Sequence, residues 1–403
     1  MNKSTIKNLC PNMYSGGTPS TKNPEYWGGD IPWLSSGESG KEFIDEASQF
    51  ITQEGVENSA TKLATKNSVI IATAGEGKTR GQVSFLNIDA YINQSLIAMK
   101  PSENELLPKY LYYYLKNSYF KLRSLSDITG VRGSLSGELL GNYQVFYPDI
   151  KEQEKTVCLL SSIDEKIRFN NKIISELESM AKILYEYWFL QFDFPNENGK
   201  PYKSSGGKMV YNEELKREIP DGWEVGLLKD YAEILAGGDK PDDLSLNKTV
   251  DKCFEVISNG SENRGICGFT ANSRIKVPAI TISARGSVGY TFLRLEPFTP
   301  VIRLICMIPF DDSYLTFLSE TMKHIKFSKN GSIQQQLTIP DLSDYRFVFP
   351  CHDVANKFNE LVFDFELRKL KAIKENRDLA SLRDFLLPML MNGQVTFKDT
   401  ADA

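Results

Sequence analysis

The sequence predicts an α+β protein of two similar globular domains joined by two long antiparallel helices, with a pseudo-twofold relation between its halves. Two observations predict this fold: the same order of motifs occurs twice, and each copy ends in a long helical pattern. A duplicated chain can acquire such an axis by the geometry that makes homodimers symmetric. We expect a first domain at 1–150, a first helix at 151–192, a linker at 193–215, a second domain at 216–350 and a second helix at 351–393.

The two copies begin with a similar glycine motif. Met13–Pro24 reads MYSGGTPSTKNP and resembles Glu233–Leu244, EILAGGDKPDDL, with a Gly-Gly pair at the same place. Further along, Ile70–Phe85 and Ala279–Phe292 each contain a β-branched run, a Gly-rich basic loop and a second strand pattern. This order is typical of a hairpin-like loop on a sheet. Both domains are therefore predicted to carry a basic loop between two strands.

The two copies also end alike. Gly141–Ile150, GNYQVFYPDI, matches Ser343–His352, SDYRFVFPCH, with Tyr, an apolar residue and Pro at equivalent positions. The same offset aligns Leu135 with Leu337 before the strand. Each copy thus ends in a polar segment, a short strand closed by Pro, and a long helix, which is the signature of an internal repeat.

The first helix carries a heptad seam whose members alternate three and four residues apart, as in a coiled coil. The seam is Leu160, Ile163, Ile167, Asn170, Ile174, Leu177, Ala181, Leu184 and Trp188. The polar member is of the kind that fixes register at some cost in stability. We expect the opposite face to be solvated, and it carries Asp164, Lys166, Arg168, Lys172, Glu176 and Glu178.

The second helix has a less regular seam and is the simplest partner of the first. Its members are Leu361, Val362, Phe365, Ala372, Leu379, Leu386 and Leu390, interrupted by Lys369, Asn376 and Arg383. A seam of about 30 residues is roughly 45 Å long, somewhat more than one DNA turn of about 34–36 Å. The helix pair is therefore interpreted as a ruler between two reading domains; a plain spacer or a homodimerising coiled coil is the alternative.

Composition limits the class of protein. The net charge of −5 neither supports nor excludes DNA, so basic residues that bind it would have to gather on one face. The six cysteines are scattered without a CxxC pair, which favours reduced thiols and argues against a zinc site. No signal-peptide pattern or bilayer-length apolar run is visible. We expect a cytoplasmic protein without a membrane partner.

Three phrases in the chain resemble the specificity subunits of type I restriction–modification systems. Ser15–Glu38, SGGTPSTKNPEYWGGDIPWLSSGE, is similar to the opening of many target-recognition domains of that family. Lys200–Val225, KPYKSSGGKMVYNEELKREIPDGWEV, resembles its central region, and Leu382–Phe397, LRDFLLPMLMNGQVTF, resembles its ending. The resemblance covers essentially the whole chain.

The resemblance implies a non-catalytic subunit with two target-recognition domains and two antiparallel helices. Each domain would read one half of a bipartite sequence in double-stranded DNA. The helices would dock methyltransferase (modification) subunits, which endonuclease/translocase (restriction) subunits join. It implies DNA methylation and phage defence as the setting, and no cofactor or metal held by the chain itself.

Base edges are read by Arg, Lys, Asn, Gln, Ser and Thr, and Gly-rich loops let a backbone approach a phosphate closely. Two loops per domain combine these residue types at matching places, and a solvated hairpin tip is the alternative for each loop. The candidate DNA-binding residues of the first domain are Lys78, Thr79, Arg80, Arg132 and Ser134. Those of the second domain are Arg285, Ser287, Lys329, Asn330, Ser332 and Gln334.

Aromatic residues are unusually dense at the end of the first helix. Tyr185, Trp188 and Phe189 are more than a two-helix seam requires, and aromatics are enriched at subunit interfaces. They could equally pack against the linker and the second domain. With Phe385 and Met389 of the second helix, they are our candidates for a partner interface.

The enzyme motifs that the chain approaches are incomplete. Asn23–Tyr26 reads NPEY where amino-methyltransferases have Asn-Pro-Pro-Tyr, and no glycine-rich cofactor loop accompanies it. The two histidines have no nucleophile or metal partner at a recognisable spacing. A chain without a catalytic constellation fits a reader of DNA. The alternatives are a self-contained DNA modification enzyme with degenerate motifs, which would bind S-adenosylmethionine, and a protein-binding scaffold.

Overall fold

The structure is a computed structural model that describes residues 1–75, 77–128, 133–325 and 336–397. The chain divides into two compact units. Unit 1 comprises Met1–Arg168 and the described residues from Asn376 onward, and unit 2 comprises Phe169–Glu375. Each of the two long helices has one part in each unit.

Unit 1 is a mixed α/β unit. Its strands within the described residues are β1 (Asn2–Thr5), β2 (Tyr14–Ser15), β3 (Trp27–Leu34), β4 (Phe43–Ile44), β5 (Gln49–Ile51), β6 (Lys62–Ala64), β7 (Val69–Ala72), β8 (Val83–Leu86), β9 (Ala90–Ile92), β10 (Leu96–Met99) and β11 (Gln144–Tyr147). Its helices are α1 (Ile6–Leu9), α2 (Gln53–Glu57), α3 (Pro108–Asn117), α4 (Tyr119–Ile128), α5 (Gly137–Gly141), the first part of α6 (Ile150–Tyr185) and the last part of α9 (His352–Met391).

Three sheets organise unit 1. One has the strand order β2-β10-β7-β8-β4, the second has the order β5-β3-β9-β6, and β1 pairs with β11. The central strands β7 and β10 are buried along their whole length, because their sequences VIIA and LIAM offer apolar side chains to both faces. Helix α3 packs on this sheet through buried tyrosines such as Tyr112. The core of unit 1 lies between this sheet and α3.

Unit 2 contains the second set of elements. Its strands within the described residues are β12 (Met209–Asn212), β13 (Arg217–Pro220), β14 (Glu224–Leu227), β15 (Ala232–Ala236), β16 (Phe254–Ile257), β17 (Ile266–Thr270), β18 (Ala279–Ile282), β19 (Thr291–Arg294), β20 (Phe298–Pro300), β21 (Ile305–Pro309) and β22 (Arg346–Phe349). Its helices are the last part of α6, α7 (Leu315–His324), α8 (Ile339–Ser343) and the first part of α9 (His352–Met391).

The strand order of unit 1 recurs in unit 2. The order β15-β21-β18-β19 repeats β2-β10-β7-β8, and the order β17-β16-β20 repeats β5-β3-β9. In both smaller sheets one pair is parallel, β3 with β9 and β16 with β20. The pair β14–β22 repeats β1–β11, and in each unit the second of these strands leads through a Pro into a long helix. The duplication predicted from the sequence is confirmed.

The predicted linker is an integral part of unit 2. Strand β12 pairs with β13 in an antiparallel hairpin that crosses the predicted end of the linker at residue 215. Phe194 is buried and stacks on Trp223 and on Tyr202, with ring centroids 5.1 and 4.5 Å apart. This aromatic stack explains why a turn-rich, polar segment is held in place.

The heptad seam of α6 is confirmed, because every predicted member is buried or half-buried. One prediction on this helix is wrong. Asp164 was placed on the solvated face, yet only 3% of its surface is exposed. Within unit 1, its carboxylate accepts hydrogen bonds from Arg383 Nη1 of α9 at 2.8 Å and from Tyr113 Oη at 2.7 Å. A buried carboxylate needs such partners.

The second seam also differs from the prediction. Leu361, a predicted member, is 47% exposed, whereas Lys369 and Arg383, predicted interruptions, are buried. In unit 2 the Lys369 Nζ lies 3.1 Å from Glu178 Oε1 of α6 and 2.9 Å from Glu366 Oε1. The helices run antiparallel, since Asn170 Nδ2 of α6 meets Glu375 Oε2 farther along α9, at 2.8 Å. Paired charges thus occupy seam positions and specify register.

The Arg383 guanidinium is the most enclosed cation of the seam in unit 1. Burial by itself lowers its pKa, but the carboxylates of Glu42 and Asp164 outweigh burial and raise the pKa above its usual range. The Glu42 Oε2 atom lies 2.8 Å from Arg383 Nη1 and so connects the loop before β4 to the helices.

In the described part of the chain, no helix combines the length and the apolar composition that a membrane span needs.

Candidate nucleic-acid interface

The predicted basic loop is a hairpin connection in both units. In unit 1 it joins the antiparallel strands β7 and β8, and in unit 2 it joins the antiparallel strands β18 and β19. These strands lie in the larger sheet of each unit. The prediction of a basic loop between two sheet strands is therefore confirmed twice.

The chain that follows the second predicted loop of each unit lies beside the first loop. In unit 1 the Leu135 amide donates to the Thr73 carbonyl at 2.8 Å, and in unit 2 the Leu337 amide donates to the Ala284 carbonyl at 3.0 Å. Leu135 and Leu337 are aligned in the sequence repeat. The structure thus places, at one end of each unit, the residue that follows the second predicted loop beside the first loop. We call these two regions loop end 1 and loop end 2.

Loop end 1 keeps its arginine inside. Arg80 is 7% exposed; its guanidinium donates to the Gly133 carbonyl and lies 2.5 Å from the Asp127 carboxylate of α4. Gly133 has a left-handed φ of 52°, and a Cβ there would displace that guanidinium, so both features favour glycine. Arg80 therefore ties the hairpin loop to α4 and to the returning loop. The neighbouring Lys78 is exposed.

The other residues of loop end 1 are held by aromatic and hydroxyl groups. Tyr119 Oη donates to the Lys78 carbonyl at 2.8 Å, which fixes the backbone that carries the exposed lysine. Thr79 is half-buried, and Ser134 Oγ lies 3.4 Å from the Thr73 carbonyl. Of the predicted residues in unit 1, Arg132 lies outside the described residues.

Loop end 2 presents its arginine to solvent. Arg285 is exposed and its Nη2 donates to Gln336 Oε1 at 2.8 Å, across the two loops. Ser287 is exposed beside it. The remaining predicted residues of unit 2, Lys329, Asn330, Ser332 and Gln334, lie outside the described residues.

A cleft of about 600 Å³ opens beside Arg285. Its lining also includes the Gly237-Gly238 pair, Asp239, Lys240 and Arg303. The Arg274 guanidinium lies against Gly238 at the same place. Among the described residues, Lys240, Arg285 and Arg303 form no ion pair, so three cations and one carboxylate line the cleft.

The sequence contains a signal for one of the two cations that were not predicted. Lys240 follows the glycine motif that marks the repeat, whereas nothing in the sequence pattern indicates Arg303.

The turn that carries Arg303 has an unusual backbone. Ile302 and Arg303 have φ of 53° and 57°, and the Leu304 amide donates to the Val301 carbonyl at 3.1 Å, as in a type I′ turn. Such turns favour Asn-Gly, because both central residues are left-handed. A β-branched residue there is a genuine outlier. Left-handed non-glycine residues cost about 1–3 kcal/mol each and persist only when their surroundings hold them.

Asn259 and the glycine pair hold this turn. The amides of Ile302 and Arg303 donate to the carbonyls of Gly238 and Gly237 at 2.9 and 3.0 Å. A Cβ on Gly237 would lie 2.7 Å from Val301 N, so the close approach requires glycine. Asn259 Nδ2 donates to the Ile302 carbonyl at 2.7 Å, while Asn259 Oδ1 accepts from the Ala284 amide at 2.7 Å. One side chain thus braces the turn against the Arg285 loop.

Beneath loop end 2 lies a buried arginine. Arg294 is 5% exposed, and its Nε donates to Thr281 Oγ1 at 3.1 Å. Burial, together with the nearby Arg264 charge, lowers the pKa of Arg294 to about 9. The two guanidinium groups lie 4.7 and 5.3 Å from the Phe292 ring centroid. Two guanidinium groups thus share one aromatic ring on the hairpin that carries the Arg285 loop.

The predicted partner-interface aromatics, at the end of α6 and in the helical segment Glu186–Leu190 that follows it, are core residues of unit 2. Tyr185, Trp188 and Phe189 are at most 5% exposed. The Phe189 ring lies 4.8 Å from Phe358 and 4.7 Å from Phe317, centroid to centroid. Assigning these three to a partner surface is therefore corrected in favour of packing within the second domain, because almost none of their surface is left for another chain.

Exposed apolar residues occur instead on the neighbouring helix positions, and they follow the repeat. Met180, Ile183 and Tyr187 of unit 2 are 49%, 59% and 36% exposed. The offset that aligns the ends of the two copies places them on Leu382, Phe385 and Met389 of unit 1. Leu382 and Phe385 are 46% and 61% exposed, and Met389 is half-buried. We call these two sets stripe 2 and stripe 1.

The Asn-Pro-Glu-Tyr segment has a local structural role. Asn23 Oδ1 accepts from the Glu25 amide at 3.3 Å and so caps the short helical turn Pro24–Tyr26. Within the described part of the chain, no three His, Cys, Asp or Glu side chains gather closely enough to hold a metal ion.

Comparisons with known proteins agree on one family. A family model described as the type I restriction modification DNA specificity domain matches residues 1–179 and 220–368. The chain is 27% identical over 414 residues to the type I restriction enzyme MjaIX specificity subunit of Methanocaldococcus jannaschii, covering 95% of this chain and 91% of that protein. It is 22% identical over 407 residues to the HindI specificity subunit of Haemophilus influenzae, covering 83% and 88%.

A solved structure shares the fold. The S subunit of a type I restriction-modification system from M. genitalium matches with a TM-score of 0.64 and 18% identity, covering 99% of this chain and 96% of that chain. The fold of this chain is therefore shared, over nearly its whole length, by a solved structure.

Proposed function

Because the chain belongs to the type I restriction modification DNA specificity family, we propose that it is the non-catalytic DNA-recognition subunit of a type I restriction–modification complex. Unit 1 and unit 2 each read one element of a bipartite target in double-stranded DNA. The chain docks modification and restriction subunits, needs no cofactor of its own, and works in the cytoplasm, where phage DNA is attacked.

The observation that carries this proposal is the repetition of the loop end. Two units with the same strand order each carry a Gly-rich basic loop between two strands of the larger sheet, and in each unit the residue after the second predicted loop is hydrogen-bonded beside it. Duplicated readers suit a target with two parts. Loops on a rigid sheet are also where binding residues concentrate. Lys78, Thr79 and Ser134 in unit 1 and Arg285 and Ser287 in unit 2 are our contact candidates among the described residues.

The charge distribution supports DNA as the ligand of loop end 2. The whole chain is acidic, at −5, yet Lys240, Arg285 and Arg303 share one cleft without a carboxylate bound to them in the described residues. Phosphate contacts need such cations, and guanidinium groups also read guanine edges. At loop end 1, Arg80 acts by positioning the loop, because its guanidinium is buried and occupied.

The stripes support docking of protein partners. Isolated exposed apolar residues are ordinary, but these occupy the same three positions in both copies of the repeat. Identical placement in two copies suits two copies of one partner subunit. Phe385 and Met389 of stripe 1 therefore remain interface candidates, and Ile183 and Tyr187 of stripe 2 replace the buried aromatics.

Footprinting of the assembled complex on DNA selected from a random pool tests the proposal. Two short protected elements at a constant gap are expected. A single contiguous element, or no protection at all, would contradict it, the latter favouring a protein-binding scaffold. Binding of S-adenosylmethionine by the isolated chain would instead favour a self-contained modification enzyme.

The helices supply the second half of the proposal, a fixed gap between the two elements. Inserting one heptad in both α6 and α9 keeps their seam in register and adds about 10 Å of helix. The gap between protected elements should then lengthen by about three base pairs. An unchanged gap would refute the role of the helices as a ruler, whereas a one-helix insertion is the control that should disrupt folding.

A further inference from the structure

The Val301–Leu304 turn in loop end 2 has a backbone that its own residues disfavour. Ile302 and Arg303 occupy two consecutive left-handed positions where Asn-Gly would be unstrained. Both side chains are exposed, so core packing does not explain their presence. Strain at a surface position that nothing in the fold requires points to the side chains themselves.

Unit 1 shows that the fold does not require the strain. Its corresponding connection, between β9 and β10, also lies against the glycine pair, since the Gly16 amide donates to the Asn93 carbonyl at 3.2 Å. There the exposed residue is the neutral Gln94, which accepts from Thr18 Oγ1 at 2.6 Å. Among the described residues of unit 1, the non-glycine residue with positive φ is Asn67, on a different loop.

The strained turn faces the cleft of loop end 2. Arg303 lines it together with Lys240 and Arg285, while Ile302 is 45% exposed at its edge. The turn is braced from two sides, by the carbonyls of the glycine pair and by Asn259. Because the backbone that carries the cation is already held in place, binding an anion needs no further ordering of the turn. An apolar side chain at the same edge suits the sugar faces that line a phosphate chain.

Building on the proposed function, we infer that this turn is a preformed clamp for the phosphodiester backbone of the element read by unit 2. Arg303 binds a phosphate together with Lys240, and Ile302 packs against deoxyribose beside it. Asn259 is a positioning residue that keeps the clamp in register with Arg285. In the described part of loop end 1 no cation sits on a left-handed turn of this kind, so we expect the two elements of the target to differ in how their binding responds to salt.

Two substitutions in the assembled complex separate the two contacts. Arg303→Gln removes a charge from a phosphate contact; affinity should fall on the order of tenfold on every DNA sequence, and the slope of log affinity against log salt should decrease by about 1. Ile302→Asn relieves the turn and keeps every charge; the melting temperature should rise by about 2–4 °C, while DNA affinity falls and the salt slope is unchanged.

Lys371→Gln, an exposed lysine on α9 without an ion pair in the described residues, is the matched control and should leave the slope unchanged. An unchanged slope for Arg303→Gln, or a loss of base preference without a change in slope, would overturn the phosphate contact. Full affinity of Ile302→Asn would overturn the sugar contact. These outcomes require wild-type binding; a wild-type complex that binds no DNA would instead refute the proposed function.

Discussion

Loop end 1 and loop end 2 belong to units with the same strand order and carry matching basic loops. The arginine of the basic loop nevertheless has opposite roles in the two units. Arg80 is buried and bound to Asp127 and Gly133, so it stabilises its own unit. Arg285 is exposed and bound only to Gln336 across the loops, within the described residues. A basic residue in a Gly-rich loop therefore does not by itself indicate a DNA contact. Its burial and its partners decide whether it holds the protein or is free to hold a ligand.

The difference extends to the backbone. Unit 2 carries two pairs of left-handed non-glycine residues in its connections between strands, Asn263-Arg264 and Ile302-Arg303, whereas the described residues of unit 1 have no such pair. The basic loops themselves use left-handed glycines in both units, Gly81 in unit 1 and Gly286 and Gly289 in unit 2. The duplicated fold thus leaves each unit free to vary its loop end, which is what two readers of different DNA elements require.

The largest effect is expected from the charged seam of unit 1. Arg383→Leu should lower the free energy of unfolding of unit 1 by about 3–5 kcal/mol, because it leaves the Asp164 carboxylate buried without its cation. Lys369→Leu in unit 2 should cost less, since Glu366 keeps a second cation, Lys323, 3.7 Å away. Denaturant unfolding measures both. Combining Arg383→Leu with Asp164→Asn should recover part of the lost unfolding free energy. If Arg383→Leu and Lys369→Leu lower the unfolding free energy equally, the two units do not differ in how their charged seams contribute to stability.

Arg80→Ala is expected to act mainly on stability. It removes the bonds to Asp127 and Gly133, and should cost about 1–3 kcal/mol because a carbonyl is left without its donor. Binding to the first DNA element should weaken along with the loop. Thermal unfolding of Arg80→Ala measures the loss of stability, and Lys78→Ala, which changes an exposed residue, is the control. If Arg80→Ala has the stability of the wild type but loses base preference at the first element, Arg80 contacts DNA directly and does not merely position the loop.

Arg285→Ala is expected to act on DNA and not on folding. Stability should stay within about 0.5 kcal/mol of wild type, as for other exposed side chains. Affinity for the second element should fall by about 1–3 kcal/mol if the guanidinium pairs with guanine. Competition binding against targets altered in one element measures it. An equal loss on all sequences would assign Arg285 to a phosphate, and a loss confined to the first element would contradict the division between units.

The smallest effect on the chain itself is expected at the stripes. Ile183→Ser and Phe385→Ser each change an exposed residue, so unfolding should shift by no more than about 0.5 kcal/mol. Each should remove one copy of the modification subunit from the complex, and the double variant should remove both. Native mass spectrometry counts the copies. Retention of both copies in the double variant would exclude the stripes as docking surfaces.

Much of the fold could be predicted because it depends on periodic patterns. The duplication, the seam of α6 and the strand–loop–strand units follow from apolar spacing and from glycine placement, and all are present. The charged seam could not be predicted, because Asp164 and Arg383 look like surface residues until their mutual distance is known. Spacing along one helix does not reveal a partner on another.

The site was harder to predict than the fold. Arg285 and Arg80 look equivalent in sequence, and only tertiary packing separates them. The density of aromatics at the end of α6 indicated a cluster without indicating what packs on it, and Phe317 and Phe358 of unit 2 supply the answer. Arg303 was missed because its backbone conformation carries the signal, and a sequence that places Ile-Arg in a type I′ turn gives no local cue.

Mapping of methylated adenines in DNA from cells that contain this chain and its modification subunits tests the central claim most directly. Two units that each read one element predict that every methylated site contains the same two short sequences at one constant separation. Methylation within a single contiguous motif, or within two motifs at variable separations, would contradict the account.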